Sequence, residues 1–344
     1  MNILIKIKEL FWLLFLLVSV SCSPYKGEKL KAMVISQNNY VLKLPPGFDS
    51  LPIPENNKLS IERVNLGKKL FQEKALSIDS SISCLTCHKP NLYFTDGIPK
   101  SKGLDGEIVE RNSPSLLNVG YQTKLLREGG MPTLEMQVLV PIQEHKEFNF
   151  NIVDLSERLK KDSIYVELAK KAYNREIDPF VITRALSAYE RTLISGNSNY
   201  DKYFFQGDKK ALSKNELKGY KLFTSKELNC TSCHSDFNFS NYKTYNNGLY
   251  KKYNDPGRAR LTKLNFDKGK FKVPSLRNVE FTGPYMHDGS LKTLEEVIHH
   301  YAKGGEDHPN KSDLITGFSI TNKEINYLVS FLKSLTDTTV INKY

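Results

Sequence analysis

Tryptophan and cysteine are scarce in this chain of 344 residues. The single tryptophan, Trp12, lies near the N-terminus. Four of the five cysteines form two Cys-x-x-Cys pairs, and the fifth is Cys22. Outside those two motifs, no pair of cysteines remains that could form a disulfide. The apolar run from Leu10 to Val20 is shorter than the about 20 residues that a transmembrane helix needs. The N-terminal segment is therefore unlike a membrane span.

Each cysteine pair is followed directly by a histidine, in the segments 84–88 and 230–234. Cys-x-x-Cys-His is the attachment motif of a c-type haem: both cysteines form thioethers and the histidine binds the iron. A structural or redox-active Cys-x-x-Cys is the alternative, but a zinc site built from both pairs would not require a histidine after each. The sequence therefore predicts two covalent haems, held by Cys84, Cys87, His88, Cys230, Cys233 and His234.

The N-terminal residues resemble an export signal, with Lys6 and Lys8 before the short apolar run. Small residues precede Cys22, as in lipoprotein signals, although Ser19 stands where leucine is usual. We expect residues 1–22 to be a signal peptide with a lipid-anchored Cys22; an ordinary signal ending near Ser23 is the alternative. Residues 23–55 are rich in proline and are predicted to form a tether.

The formal net charge of +11 would suit an acidic redox partner, an anionic membrane or nucleic acid. The lysines are scattered along the chain rather than clustered, which favours a solvated basic surface. Nucleic acid is not expected as a partner of an exported haem protein.

The two halves of the chain share three sequence blocks in the same order. Gly67–Phe71 and Gly219–Phe223 precede the haem motifs, and Pro114–Val119 and Pro274–Val279 follow them. Glu128-Gly129 and Asp288-Gly289 are each followed, at identical spacing, by Thr-Leu-Glu. We therefore expect a duplication, with haem domains at 56–197 and 198–344 and a boundary near 195–199.

Apolar periodicity predicts a mainly helical protein with few strands. A proline at the first turn of the third predicted helix is compatible with helix formation. The predicted helices cover 61–74, 154–173, 179–193, 214–225, 294–301 and 322–335.

Alignment of the halves indicates that the two distal haem faces differ. Tyr301, whose phenol oxygen can bind ferric iron, aligns with Pro141, which cannot bind a metal. The first haem is thus expected to have an open face and the second a closed one. Met286, His299 and His300 are alternative ligands for the second haem.

These segments resemble the bacterial di-haem cytochrome c peroxidase and MauG family. The resemblance lies in Phe94–Gly97, Arg111–Ser115, Leu134–Glu147, Val273–Asn278 and Pro284–Ser290, within residues 55–336. It implies two cytochrome c-like helical domains with a calcium ion between them. By motif position, Asn112 and the backbone of Thr282 and Pro284 would contact that ion.

The resemblance also implies that the first haem is the peroxide-reactive one, with Glu147 and Gln137 in its distal pocket. A carboxylate there can transfer a proton as general acid and base, and an amide can orient peroxide. Residues 89–110 contain no histidine, and Leu104 lies near the position of the histidine that caps this haem in many relatives. Arg127 stands where relatives commonly hold a tryptophan between the haems.

The expected function is that of an exported, periplasmic peroxidase that reduces hydrogen peroxide. The electron donor would be a small cytochrome c or a copper protein. MauG-like oxidation of a partner protein is the main alternative. A Tyr301 ligand favours MauG-like electronic properties of the second haem without identifying a protein substrate. A plain di-haem electron-transfer cytochrome and a binding lipoprotein are further alternatives.

Overall fold

The computed structural model describes residues 39–344. The predicted signal peptide, Cys22 and the first part of the tether lie outside these residues. Within the described range, no helix combines the length and apolar character needed to cross a membrane.

The mainly helical prediction is confirmed. A single two-stranded antiparallel ribbon, Thr244–Tyr245 with Phe271–Lys272, is found among residues 39–344. The α-helices of that range are Ile61–Gln72, Cys84–Cys87, Leu134–Gln137, Leu139–Gln143, Ile152–Leu159, Ser163–Tyr173, Pro179–Glu190, Asn199–Phe205, Lys214–Phe223, Ala259–Thr262, Leu294–Ala302 and Asn322–Lys333.

The first hydrophobic core forms where helix Ile61–Gln72 packs against helix Pro179–Glu190. Each helix begins at a side-chain cap, Ser60 for the first and Asp178 for the second. Gly67 lies at the crossing, where a Cβ atom would overlap the carbonyl oxygen of Ala185. The glycine therefore allows a close approach of the two helices.

A second hydrophobic core repeats this arrangement with helices Lys214–Phe223 and Asn322–Lys333. Both helices begin with a capping box, at Ser213 and Thr321. Gly219 lies at this crossing, with the carbonyl oxygen of Tyr327 in the place that a Cβ would need. The two haem motifs thus each follow a helix that is seated on its own core.

One detail differs from the sequence prediction. Residues 154–173 form two helices rather than one, because Asp162 leaves the helical conformation and its side chain accepts a hydrogen bond from Ile164 N. The segment 195–199, predicted as the domain boundary, contacts the C-terminal part of the chain. Ser195 and Ser198 are buried, and the carboxylate of Asp337 accepts hydrogen bonds from Gly196 N and Asn197 N.

Candidate active site

The first haem motif is held in a form that suits haem attachment. Helix Cys84–Cys87 begins at Ser83, whose side chain forms a capping box with Thr86. The His88 Nδ1 atom lies 2.9 Å from the carbonyl oxygen of Phe94. A hydrogen bond donated by Nδ1–H to this carbonyl fixes the ring and leaves Nε2 free to bind a metal.

The second motif has the same local geometry. The His234 Nδ1 atom lies 2.9 Å from the carbonyl oxygen of Phe239. The accepting residue in each half, Phe94 or Phe239, has a positive φ, near 60° and 53°. This backbone turn directs the carbonyl at the imidazole in both halves.

The four cysteine sulfurs of the motifs are free, and burial raises the pKa of each thiol. Among residues 39–344, no group of three or more His, Cys, Asp or Glu side chains could hold a metal ion. The two cysteine pairs thus do not meet in one metal site within these residues, and each pair lies beside its own histidine.

Glu147 lies close to the first motif. Its backbone N–H closes a turn on Glu144 at 2.9 Å, and Phe148 N donates to the carbonyl of Pro141 at 3.1 Å. Burial, and to a smaller extent the neighbouring Glu144, raises the pKa of Glu147 to about 7. The pKa of Cys87 is raised mainly by burial, and the negative charge of Glu147 raises it further. The carboxyl group is thus half-buried near the first haem position and titrates near neutral pH.

Gln137 and Pro141 lie one helical turn apart on the segment that leads to Glu147. Pro141 has no N–H to donate to the Gln137 carbonyl, and the helix is divided between Leu134–Gln137 and Leu139–Gln143. Residues four positions apart share one side of a helix. Val138 keeps helical backbone angles between the two helices, so Gln137 and Pro141 lie four residues apart along one helical segment.

The loop that carries Leu104 is anchored against the same segment. Leu104 N donates to the carbonyl oxygen of Lys146 at 3.0 Å, and the Leu104 side chain is buried. Gly103 N donates to the carbonyl of Glu107 at 2.8 Å. A Cβ atom at Gly103 would overlap the Lys146 carbonyl oxygen, so this position requires glycine. Leu104 is therefore an apolar residue that is held in place beside the segment that carries Glu147.

In the second half of the chain, the side chains of Tyr301 and Met286 both lie close to Asn247. The Nδ2 atom of Asn247 lies 3.4 Å from the Tyr301 phenol oxygen and 3.3 Å from the Met286 sulfur. Burial raises the pKa of Tyr301. His300 Nε2 instead lies 3.0 Å from the Asn247 carbonyl oxygen, and His299 is exposed. The geometry keeps Tyr301 and Met286 as ligand candidates and disfavours the two histidines.

Asn112, a predicted calcium contact, binds Arg127 through both of its oxygens. Its side-chain oxygen accepts from Arg127 Nη2 at 2.6 Å, and its carbonyl oxygen accepts from Arg127 Nη2 and Nε at 2.9 and 3.1 Å. A guanidinium group thus occupies both oxygens that a cation on Asn112 would need. The residues present do not fit a calcium ion on Asn112 in this arrangement.

Sequence reasoning missed several polar residues around these sites. The buried Glu128 accepts from Arg111 and Arg260, and Arg111 also bonds Asp255 at 2.6 and 2.9 Å. The positive charge of Arg260 lowers the pKa of Glu147, whereas burial raises it. Arg111 lies in a segment that already resembled the family, whereas Asn247 and Arg260 carried no local signal.

Comparison with known proteins places these features in context. Residues 61–210 match the family model described as di-haem cytochrome c peroxidase. The methylamine utilization protein MauG of Methylorubrum extorquens is 37% identical, over 83% of this chain and 82% of its own. Cytochrome-c peroxidase IdrP1 of Denitromonas iodatirespirans is 33% identical over 86% of both chains. Cytochrome c551 peroxidase of Nitrosomonas europaea is 32% identical over 82% of this chain and 81% of its own.

Solved structures share the fold. A MauG-like protein associated with microbial copper homeostasis superimposes with a TM-score of 0.82 at 32% identity, covering 88% of this chain and 97% of the other. The diheme peroxidase BthA of Burkholderia thailandensis superimposes with a TM-score of 0.71 at 21% identity, covering 88% and 94%. The second likeness concerns the fold alone.

Proposed function

Because the chain belongs to the di-haem cytochrome c peroxidase and MauG family of oxidoreductases, we propose that it reduces hydrogen peroxide at its first haem. That haem is bound through Cys84, Cys87 and His88. Cys230, Cys233 and His234 would hold a second haem, which would supply electrons to the first. The observation that carries this proposal is the half-buried carboxyl of Glu147, whose pKa is raised to about 7 beside the first motif.

The chemistry requires that a proton be moved within the pocket. Reduction of H2O2 to two water molecules consumes two electrons and two protons. One oxygen of peroxide must lose a proton, and the other must gain one to leave as water. The bound haem supplies the redox chemistry. A carboxyl group that titrates near pH 7 can accept and return the proton at its Oε atoms. The Gln137 amide orients peroxide by hydrogen bonding.

The difference between the two distal sides assigns the two roles. Pro141 offers no ligand to the first haem, and the anchored Leu104 provides no histidine that could cap it. The first haem is therefore open to peroxide without prior reduction. Tyr301, with Met286 as the alternative, would bind the second haem iron, and that haem would then serve in electron transfer.

Steady-state peroxide turnover tests this proposal. The donor is a reduced small cytochrome c or copper protein, and the enzyme is used without pre-reduction. We expect turnover, together with one high-spin and one low-spin ferric haem in the EPR spectrum. Two low-spin haems with no response to peroxide would instead identify a plain electron-transfer cytochrome.

Oxidation of a partner protein is a second candidate function. It is supported by the Tyr301 position and by the likeness to MauG and to a MauG-like protein. A phenolate is an anionic ligand that stabilises ferric iron. The discriminating measurement adds peroxide in the absence of a redox donor and follows an added tryptophan-containing peptide by mass spectrometry. Oxidised peptide together with no donor turnover would favour this function over peroxide removal.

We also propose that the chain is exported to the periplasm as a lipoprotein anchored through Cys22, which lies outside the described residues. Replacement of Cys22 by alanine should move the protein from the membrane fraction to the soluble fraction. The equivalent helix crossings and histidine contacts of the two halves support their origin by duplication. No nucleic-acid partner is proposed.

A further inference from the structure

Residues 202–221 of the second half are an exception to the scattered distribution of lysines along the chain. The six lysines of this segment are Lys202, Lys209, Lys210, Lys214, Lys218 and Lys221. All six are at least partly exposed. Within the described range 39–344, none of them forms an ion pair. These six side chains are called the lysine surface below.

The helix Lys214–Phe223 gives half of this surface a regular geometry. Lys214, Lys218 and Lys221 follow one another at spacings of four and three residues, so they share one face of the helix. All three are exposed, whereas Phe223, on the opposite face, is buried in the second hydrophobic core. The lysines are therefore presented to solvent by a helix whose other side is fixed.

The two carboxylates of the segment 202–221 do not neutralise the lysine surface. Asp208 accepts a hydrogen bond from Lys210 N at 2.9 Å, and Glu216 accepts one from Ser213 N at 2.6 Å. Both donors are backbone N–H groups rather than ammonium groups. Unpaired ammonium groups attract an anionic surface and accelerate the association of a partner that carries one. The lysine surface thus suits an acidic partner.

A column of four aromatic rings leads from this surface to the second haem motif. In order from the outside, the rings are those of Tyr203, Phe204, Tyr200 and Phe239. Successive ring centroids are 4.9, 4.7 and 5.0 Å apart. The carbonyl oxygen of Phe239 lies 2.9 Å from His234 Nδ1. The inner end of the column therefore contacts the predicted iron ligand of the second haem.

The outer end of the column lies among the lysines. Lys209 Nζ donates to the Tyr203 carbonyl oxygen at 2.9 Å and lies 4.7 Å from the centre of the Tyr203 ring. The ring of Phe204 lies 4.8 Å from that of Tyr220, on the helix that carries Lys214. Phe205 is 38% exposed beside them. Aromatic side chains with a charged rim are typical of protein–protein interfaces.

The ring column decides between two kinds of anionic partner. Anionic lipids would also be attracted by lysines, but they exchange no electrons. Electron tunnelling through a protein weakens steeply with distance and with each gap in the packed medium. Rings in contact leave no such gap between the surface and His234. The column therefore favours a redox protein as the occupant of the lysine surface.

We propose that the lysine surface is the docking site of a small redox protein with an acidic face, and that electrons pass from there along the ring column to the second haem. The inference rests on the proposed peroxidase function and specifies where its electron donor binds and which charge that donor carries. In each transfer the donor is oxidised by one electron, which reduces the haem iron held by His234. The tyrosines of the column are not oxidised, so no proton is transferred.

Cross-linking of the complete, haem-loaded protein to an acidic small cytochrome c, without peroxide, locates the docking site. A carbodiimide joins lysines to carboxylates with which they form ion pairs, and mass spectrometry identifies the joined residues. We expect the cross-links to fall within residues 202–221 and to be lost with a basic small cytochrome c. Cross-links mainly to lysines elsewhere in the chain would refute the site.

Stopped-flow reduction of the low-spin haem by the same acidic cytochrome, again without peroxide, measures the effect of charge. Lys210→Glu and Lys221→Glu should each lower the second-order rate constant about fivefold, the size of effect of one exposed ion pair. Both should also weaken its dependence on ionic strength. Lys161→Glu, at an exposed lysine of the first half, is the matched control and should retain the wild-type rate constant. Equal rate constants in all four proteins would overturn the inference.

A small reductant separates this inference from the proposed function. Peroxide turnover by the wild type with ascorbate requires no docking site, so its absence would refute the function. The cross-linking and reduction measurements omit peroxide and judge the docking site independently. Binding to vesicles of phosphatidylglycerol that is lost in Lys210→Glu and Lys221→Glu, with unchanged reduction by the cytochrome, would replace the redox partner by a membrane and refute the inference.

Discussion

Met286 and Tyr301 share one hydrogen-bond donor, the Nδ2 atom of Asn247, which lies 3.3 Å from the sulfur and 3.4 Å from the phenol oxygen. The two candidate ligands of the second haem are therefore neighbours in the folded chain. Asn247 connects them and can donate to either one.

The first prediction concerns that ligand. Tyr301→Phe removes the phenol oxygen with little change of volume, and we expect the low-spin ferric EPR signal to become high-spin. Met286→Leu, a change of similar volume, should leave the signal unaltered. The opposite pattern, with loss of the low-spin signal only in Met286→Leu, would assign the ligand to methionine.

The second prediction concerns Glu147. Glu147→Gln retains the size of the side chain but cannot exchange a proton, so the reaction with peroxide should slow about 10²–10⁴-fold with haem content unchanged. Because burial raises the pKa of Glu147 to about 7, the carboxyl is protonated below that pH and cannot accept the peroxide proton. The wild-type rate constant should thus rise as the pH increases through 7, and the variant should lose this dependence. An equal rate in both proteins would remove Glu147 from the mechanism.

A third prediction follows from the anchored loop of Leu104. Leu104→His introduces an imidazole beside the Glu147 segment, and we expect it to bind the first haem and convert the high-spin signal to low-spin. Peroxide turnover should then require pre-reduction. Leu104→Gln is the control, since it is polar but a poor iron ligand. A high-spin signal in both variants would show that the loop does not face the iron.

Calcium provides a fourth prediction. Because Arg127 donates to both oxygens of Asn112, treatment with a chelator should leave the melting temperature and the haem spectrum unchanged. Metal analysis of the untreated protein is the direct measurement. One bound calcium per chain that is lost in Asn112→Ala would contradict this expectation.

The fifth prediction concerns stability. Arg277 and Asp201 form a fully buried ion pair with two parallel hydrogen bonds of 2.9 and 3.0 Å. Asp201→Ala leaves the guanidinium buried without an anion and should lower the free energy of unfolding by about 3–5 kcal/mol. Denaturation followed by circular dichroism measures this change. Lys171→Ala, which breaks an exposed pair with Glu167, should leave the unfolding free energy unchanged within error.

Local patterns in the sequence predicted much of the fold. Helices Ile61–Gln72 and Asn322–Lys333 show clear apolar periodicity, and both are present. The single helix predicted at 154–173 was wrong because the cap at Asp162 interrupts a pattern that stays apolar on one face. Periodicity records which side of a segment is buried, whereas a cap depends on one side chain and one backbone turn.

The site was predictable to a different extent at each residue. The haem motifs are contiguous in sequence, so Cys84 and His88 could be recognised directly. The role of Asn247 could be recognised only in the folded structure, because its partners Met286 and Tyr301 lie 39 and 54 residues further along the chain. Lys272 N likewise donates to the carbonyl oxygen of Arg127, in the other half, at 2.7 Å. Contacts between distant segments leave no local pattern in the sequence.

Tyr344, the last residue of the sequence, packs against the first half of the chain. The Tyr344 hydroxyl accepts from Ile194 N at 2.8 Å, and its ring lies 5.6 Å from that of Phe94, whose carbonyl orients His88. Val340 is also part of the first hydrophobic core. A fragment ending at residue 197 would thus lack pieces of its own interior, and its complement would carry them exposed. Separately produced halves are consequently expected to be poorly stable alone and to recover haem geometry only on recombination.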